Sequence, residues 1–149
     1  MKNIIIYILA IVVIGAVYAF NNPSVDFKNE SLNGIKFHKG TWEEALVKAK
    51  NEHKMIFLDI YATWCGPCKK LAKYSFSNQE VGKFYNQNFI NVSLDGEKGE
   101  GAILANKYGI SGYPTLMFIN SNGEIVKGTT GYHKSNDLLL LGKAIMEIR

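Results

Sequence analysis

The chain alternates between segments whose apolar residues recur every three to four positions and short segments apolar at nearly every position. The first periodic segment opens at Thr41-Trp42-Glu43-Glu44, a Thr three residues before a Glu as in a capping box. Trp42, Ala45, Leu46 and Ala49 then share one helical face up to about Glu52. Met55-Ile56-Phe57-Leu58-Asp59-Ile60-Tyr61-Ala62 follows, nearly continuous in apolar character, as a strand covered on both faces reads. Residues 69–74 continue as a helix, Asn78 caps another over 79–86, and residues 89–94 predict a second buried strand. A glycine-rich stretch at 96–101 leads to a helix ending near Tyr108, with Gly109 in the stop position. Strands at 115–119 and 124–127 flank Asn120-Ser121-Asn122-Gly123 and predict a hairpin. Ser135 caps a last helix through about Ile148, with Leu138, Leu139, Leu141, Ile145 and Ile148 for its inner face. This order predicts an α/β fold: a mixed sheet, parallel in its first part and antiparallel after the hairpin, with helices on both faces.

Residues 1–20 differ from the rest. After Lys2 an uncharged apolar run occupies residues 4–20, and a polar linker over 21–34 begins with Asn21-Asn22-Pro23. Two readings fit, a hydrophobic helix at the short end of what spans a bilayer or a secretory signal with a cut after Ala19, and a buried core helix is the alternative to both. The membrane and export readings both deliver residues 35–149, one domain, to the extracytoplasmic side. With 149 residues, 47% of them hydrophobic, the chain holds a single core plus this appendage. The net charge of +4 is spread along the chain, which argues against nucleic acid as a partner.

Export gives the two cysteines, Cys65 and Cys68, their meaning. A disulfide stabilises mainly by closing a long loop, and a bond between these two closes almost none. Haem attachment needs a His after the second Cys, where Lys69 stands, and structural zinc needs more ligands than the isolated His38, His53 and His133 supply. No metal or other cofactor is expected. If Cys65 begins the helix after the strand, its sulfur faces unpaired N–H groups and the positive end of the helix dipole, which favours the nucleophilic thiolate. Cys68, one turn on, is placed to resolve a mixed disulfide formed at Cys65. An inert local disulfide is the alternative.

Asp59 is the sole charged residue in its strand. If it is buried, its pKa rises and it can exchange a proton with Cys68; if the pleat turns it outward, it is an ordinary surface carboxylate. Pro114 belongs at the start of a strand, where no ladder N–H is needed.

Trp64-Cys65-Gly66-Pro67-Cys68-Lys69, with Asp59 six residues upstream and Gly112-Tyr113-Pro114-Thr115 downstream, resembles the thioredoxin superfamily over about residues 35–149. Trp42-Glu43-Glu44-Ala45 and the glycine-rich insertion are similar to exported members such as the C-terminal domain of bacterial thiol:disulfide interchange reductases. The resemblance implies a three-layer thioredoxin-like fold, Cys65 as attacking thiol, Cys68 as resolving thiol and Asp59 as buried proton carrier. It also implies a cis Pro114, a Tyr113 backbone that pairs with an extended client, Trp64 as a shield, and Gly66 and Pro67 as tuners of potential. Two positions depart from the common pattern. Tyr61 stands where cytoplasmic thioredoxins usually have Trp, and Asn91 where many have a lysine facing the buried Asp.

The expected function is an extracytoplasmic thiol–disulfide oxidoreductase that reduces disulfides of exported, cysteine-containing proteins, apocytochromes being one example. It would draw electrons from a membrane thiol donor. A disulfide-donating oxidase and a peptide-binding module without redox turnover are the alternatives.

Overall fold

The computed structural model describes residues 33–148, together with Tyr7 and residues 11–13. The N-terminal hydrophobic helix, and the linker through residue 32, fall otherwise outside the described residues. Among the described residues no helix is long and apolar enough to cross a membrane.

Helix α1, Trp42–Asn51, opens with the expected box: Thr41 Oγ1 accepts from the Glu44 N–H at 3.2 Å and a Glu44 carboxylate oxygen accepts from the Thr41 N–H at 2.8 Å. Strand β1, Met55–Tyr61, leads to α2, Gly66–Lys70, which continues without a break as a wider π-helical stretch, Leu71–Phe76. Asn78 caps α3, Gln79–Asn88, which overruns the expected end at residue 86 and passes directly into β2, Phe89–Asp95. Then come α4, Gly99–Lys107, β3, Thr115–Ile119, β4, Ile125–Thr130, and α5, Ser135–Glu147.

The sheet order is β2-β1-β3-β4, with β1 and β2 parallel and β1–β3 and β3–β4 antiparallel. Strand β4 runs past the expected residue 127 because Gly128, Thr129 and Thr130 go on pairing with Met117, Leu116 and Thr115. Alternate residues of β1 build two cores. Met55 and Phe57 join Phe89, Leu116 and Phe118 beneath α3, α5 and the π-helical stretch. Ile56, Leu58 and Ile60 join Ile90, Val92, Met117 and Ile119 beneath α1 and α4. The fold is therefore three layers, as the order of elements implied.

Two details of α5 correct the sequence reading. Lys134, not Ser135, occupies the cap position; the Ser135 hydroxyl instead donates to the Tyr74 carbonyl at 3.1 Å, tying α5 to the π-helical stretch. Leu138 and Ile145 are buried, but Ile148 lies past the helix end and is exposed.

Candidate active site

The buried strand β1 ends in a turn that the Cys65 N–H closes onto the Ala62 carbonyl at 3.1 Å. This leaves Cys65 at the N-cap of α2, where its Sγ accepts from the Cys68 N–H at 3.1 Å. Gly66 and Pro67 form the first turn, where the missing proline N–H is no loss. Cys65 and Cys68 are joined by a disulfide with S–S 2.02 Å and Cα–Cα 5.3 Å. Both are buried, while Trp64, Gly66 and Pro67 around them are exposed. When the bond opens, the sulfur that accepts the Cys68 N–H sits at the positive end of a helix, an environment that favours thiolate.

Asp59 is 1% exposed, so the outward-facing alternative is excluded. It lies in register with Ser93 of β2 and Leu116 of β3, on the sheet face that carries Phe57 and receives Leu71 from behind the cysteine helix. Burial pushes its pKa up to about 7, and the Ser93 hydroxyl, donating to Oδ2 at 2.8 Å, opposes part of that rise. Oδ1 is buried without a partner. Asn91 is two residues before Ser93, opposite Phe57, and its amide donates to the Lys36 carbonyl at 3.3 Å and to Asn86 Oδ1 at 3.1 Å. The residue that meets Asp59 across the sheet is therefore Ser93, a neutral donor in place of a cation.

The third part of the site comes from the loop before β3. The Tyr113–Pro114 peptide is cis, Pro114 is buried, and its carbonyl accepts from the Gly131 N–H at 2.8 Å. The Tyr113 ring packs against the cluster of Ala62, Cys65 and Cys68. On its other side it covers Gly96, where a Cβ would stand 2.6 Å from a ring carbon. Burial, and then the nearby Glu97 and Asp95 carboxylates, raise the Tyr113 pKa. Trp64 meets Tyr113 edge-on at 6.2 Å between ring centroids, and its Nε1–H donates to both carboxylate oxygens of Glu97, at 3.0 and 3.1 Å.

Of the eight expected site residues, Cys65 and Cys68 pack against Tyr113, Trp64 meets Tyr113 edge-on, Gly66 and Pro67 lie between the cysteines, Pro114 follows Tyr113 across the cis bond, and Asp59 lies buried on the strand that leads to Cys65. Ser93, Gly96 and Glu97 join them unannounced. Ser93 is legible only once the register of β2 against β1 is known. Glu97 stood within the glycine-rich insertion, and nothing local tied it to an indole 33 positions away.

A disulfide-forming pair at a helix start, fed by a strand with a buried carboxyl and faced by a cis-proline loop, defines a thioredoxin-like thiol–disulfide oxidoreductase. The chain belongs to the thioredoxin-like domain family, whose model matches residues 42–145. It is 32% identical over 110 residues, 70% of its length, to the thiol:disulfide interchange protein DsbD of Haemophilus influenzae. That match covers 19% of the relative, so the chain spans about a fifth of the length of the curated relatives it matches. The C-terminal domain of Neisseria meningitidis DsbD in its reduced form superposes with a TM-score of 0.57 at 28% identity, over 68% of this chain and 91% of that one. A Bacteroides thetaiotaomicron protein with a proposed disulphide-isomerase activity reaches a TM-score of 0.68 at 44% identity, over 78% and 97% of the two chains.

Proposed function

We propose that this chain is an extracytoplasmic disulfide reductase, residues 35–149 forming the working domain, residues 21–34 a linker and residues 1–20 an export signal or membrane anchor. The single observation that carries the reading is a cysteine pair capping a helix, with a buried carboxyl on the strand that feeds it. In the reduced protein the Cys65 thiolate attacks a client disulfide, forming a mixed disulfide and releasing one client sulfur as a thiolate, which takes a proton from water. Cys68 passes its proton to Asp59 and attacks the Cys65 sulfur. The second client sulfur leaves as a thiolate and takes up the proton held by Asp59, and the Cys65–Cys68 disulfide remains, the state seen here. A carboxyl with a pKa near 7 is poised to take and return that proton at neutral pH. Gly66, Pro67 and Trp64 shape the opening, and the Tyr113 backbone beside Pro114 pairs with an extended client segment.

Clients are then exported proteins with cysteines, apocytochromes among them, and the oxidised pair is recharged by a membrane thiol donor. The similarity to DsbD and the Gly-Pro dipeptide between the cysteines support the reducing direction. The reduction potential of the pair tests it. A value near about −270 mV is expected of a reductase, whereas a value near about −120 mV would reverse the direction and make the protein a disulfide donor. The Cys68→Ser variant, trapped with exported proteins, should accumulate mixed disulfides through Cys65; none would form if the domain only binds peptides.

A further inference from the structure

Strand β2 is one edge of the sheet, and the segment before α1 runs alongside it, the His38 N–H donating to the Asn91 carbonyl at 2.7 Å. Between this segment, the end of α1 and the start of β2 lies a cleft of about 280 Å³, at the small end of ligand pockets. Its charge is lopsided. Lys36, Lys39, Lys48 and Lys54 line it against a single carboxylate, Glu52, which lies 2.9 Å from Lys54 Nζ and 3.9 Å from Lys48 Nζ. Two further lining residues carry polar atoms buried without a hydrogen-bond partner, His38 Nε2 and Asn91 Oδ1. Asn91 is 3% exposed, and its Nδ2 is already engaged by the Lys36 carbonyl and Asn86 Oδ1, so the oxygen is the half left to a ligand. A buried acceptor without a donor costs stability, and a ligand hydroxyl seated there removes that cost.

The ammonium groups call for an anion and Asn91 Oδ1 for an O–H donor, and a phosphate ester that carries hydroxyls supplies both. We propose that this cleft binds a glycerol phosphate group: the lysines and the His38 Nε2–H hold the phosphate, and a glycerol hydroxyl donates to Asn91 Oδ1. Two sources carry that group, free glycerol 3-phosphate and the headgroup of phosphatidylglycerol. The lipid source rests on the membrane anchor proposed above, because the linker over 21–34 ends just before Lys36. The site itself does not depend on thiol exchange. Strand β1 starts beside Lys54 and runs seven residues, roughly 20 Å, before the turn to Cys65, so the cleft and the cysteines lie at opposite ends of the sheet.

The test titrates the full-length chain, in nonionic detergent, with glycerol 3-phosphate and follows the Asn91 side-chain amide and His38 ring signals by NMR. Saturable shifts are expected, with binding about tenfold weaker in Lys36→Ala and in Lys54→Ala. Lys127→Ala removes an equal charge from β4, at the other edge of the sheet, and should stay within about twofold of the parent. Sulfate, an anion without a hydroxyl, should bind about tenfold more weakly than glycerol phosphate. A second arm places the chain in phosphatidylcholine bicelles with and without phosphatidylglycerol. A response to the free ester upholds the site with a soluble ligand. Shifts of the same signals on adding phosphatidylglycerol, weakened by Lys36→Ala and without a response to the free ester, uphold it with the lipid as its source. No shift in either arm overturns the proposal. Sulfate binding as tightly as glycerol phosphate, or an equal loss in Lys127→Ala, overturns it too, since either leaves only diffuse positive charge. Insulin reduction with dithiothreitol, measured on the same samples, should be unchanged in all three variants; its absence in the parent would overturn the exchange reading and leave this inference standing.

Discussion

The two faces of the central sheet are made by alternate residues of the same strands, yet they differ in kind. Beneath α1 and α4 the buried sheet residues are aliphatic or methionine, Ile56, Leu58, Ile60, Ile90, Val92, Met117 and Ile119, with Thr115 the one polar exception at the end of β3, its hydroxyl donating to the Gly112 carbonyl. The opposite face is aromatic, with Phe57 at 4.7 Å from Tyr85 and 5.4 Å from Phe118 between ring centroids. It also carries Asn91, Ser93 and Asp59 in alternate positions toward the cysteine end. Packing alone accounts for the first face. The second combines packing with a buried carboxyl that destabilises the fold whenever it ionises, so the reason for its presence is chemical.

The strongest way to sharpen that contrast is to remove the chemistry and keep both faces. Cys65→Ser should abolish exchange, and Cys68→Ser should halt it at the mixed disulfide, while denaturant unfolding of either stays close to that of the reduced parent, since the bond closes a negligible loop.

Asp59→Asn comes next. Exchange near neutral pH should slow by about a hundredfold, the lower end of what a positioned proton carrier contributes. Stability should move the other way. Because the folded pKa of Asp59 lies above its ordinary value, the folded state keeps a proton that the unfolded chain has lost, and stability falls as pH rises between about 4 and about 7, then levels. With a rise from 3.8 to about 7, and about 1.36 kcal/mol for each unit, the upper bound on that loss is about 4 kcal/mol. Asp59→Asn should flatten this slope in unfolding measured from pH 4 to 8. A slope that persists in the variant would contradict a buried Asp59 as its source.

Truncating one residue from each face comes third. Phe57→Ala should cost about 3–5 kcal/mol and Leu58→Ala about 2–5 kcal/mol in denaturant unfolding, with the aromatic site the costlier. If Phe57→Ala proved the cheaper, the rings of Phe57, Tyr85 and Phe118 would not form the tightly packed unit described above. Ser93→Ala is the mildest. Losing its donor should lower stability at pH 8 by about 1.5 kcal/mol and carry the Asp59 transition to higher pH, read from the same pH series.

Much of this molecule was legible before any coordinates. The capping box at Thr41, the cap at Asn78 and the hairpin turn at Gly123, where φ is 82°, are local devices that name themselves in the residues that form them. The two cysteines announced themselves through the loop they fail to close. What escaped were features made by pairing. Ser135 resembled a cap, but the Tyr74 carbonyl offered its hydroxyl a better partner. Strand β4 looked short because Gly128 carries little strand propensity and interrupts the run, and the ladder with β3 extended it regardless.

The sequence by itself determined the order of elements, the cysteine pair at a helix start and the lone carboxyl in an apolar strand, because hydrophobic period, turn chemistry and Cys spacing are all local properties of the chain. Only the tertiary structure decided which way Asp59 points, that Ser93 meets it, and that Glu97 holds Trp64. Those depend on strand register and on contacts between segments some 33 positions apart, where a shift of a single residue would turn every side chain to the other face.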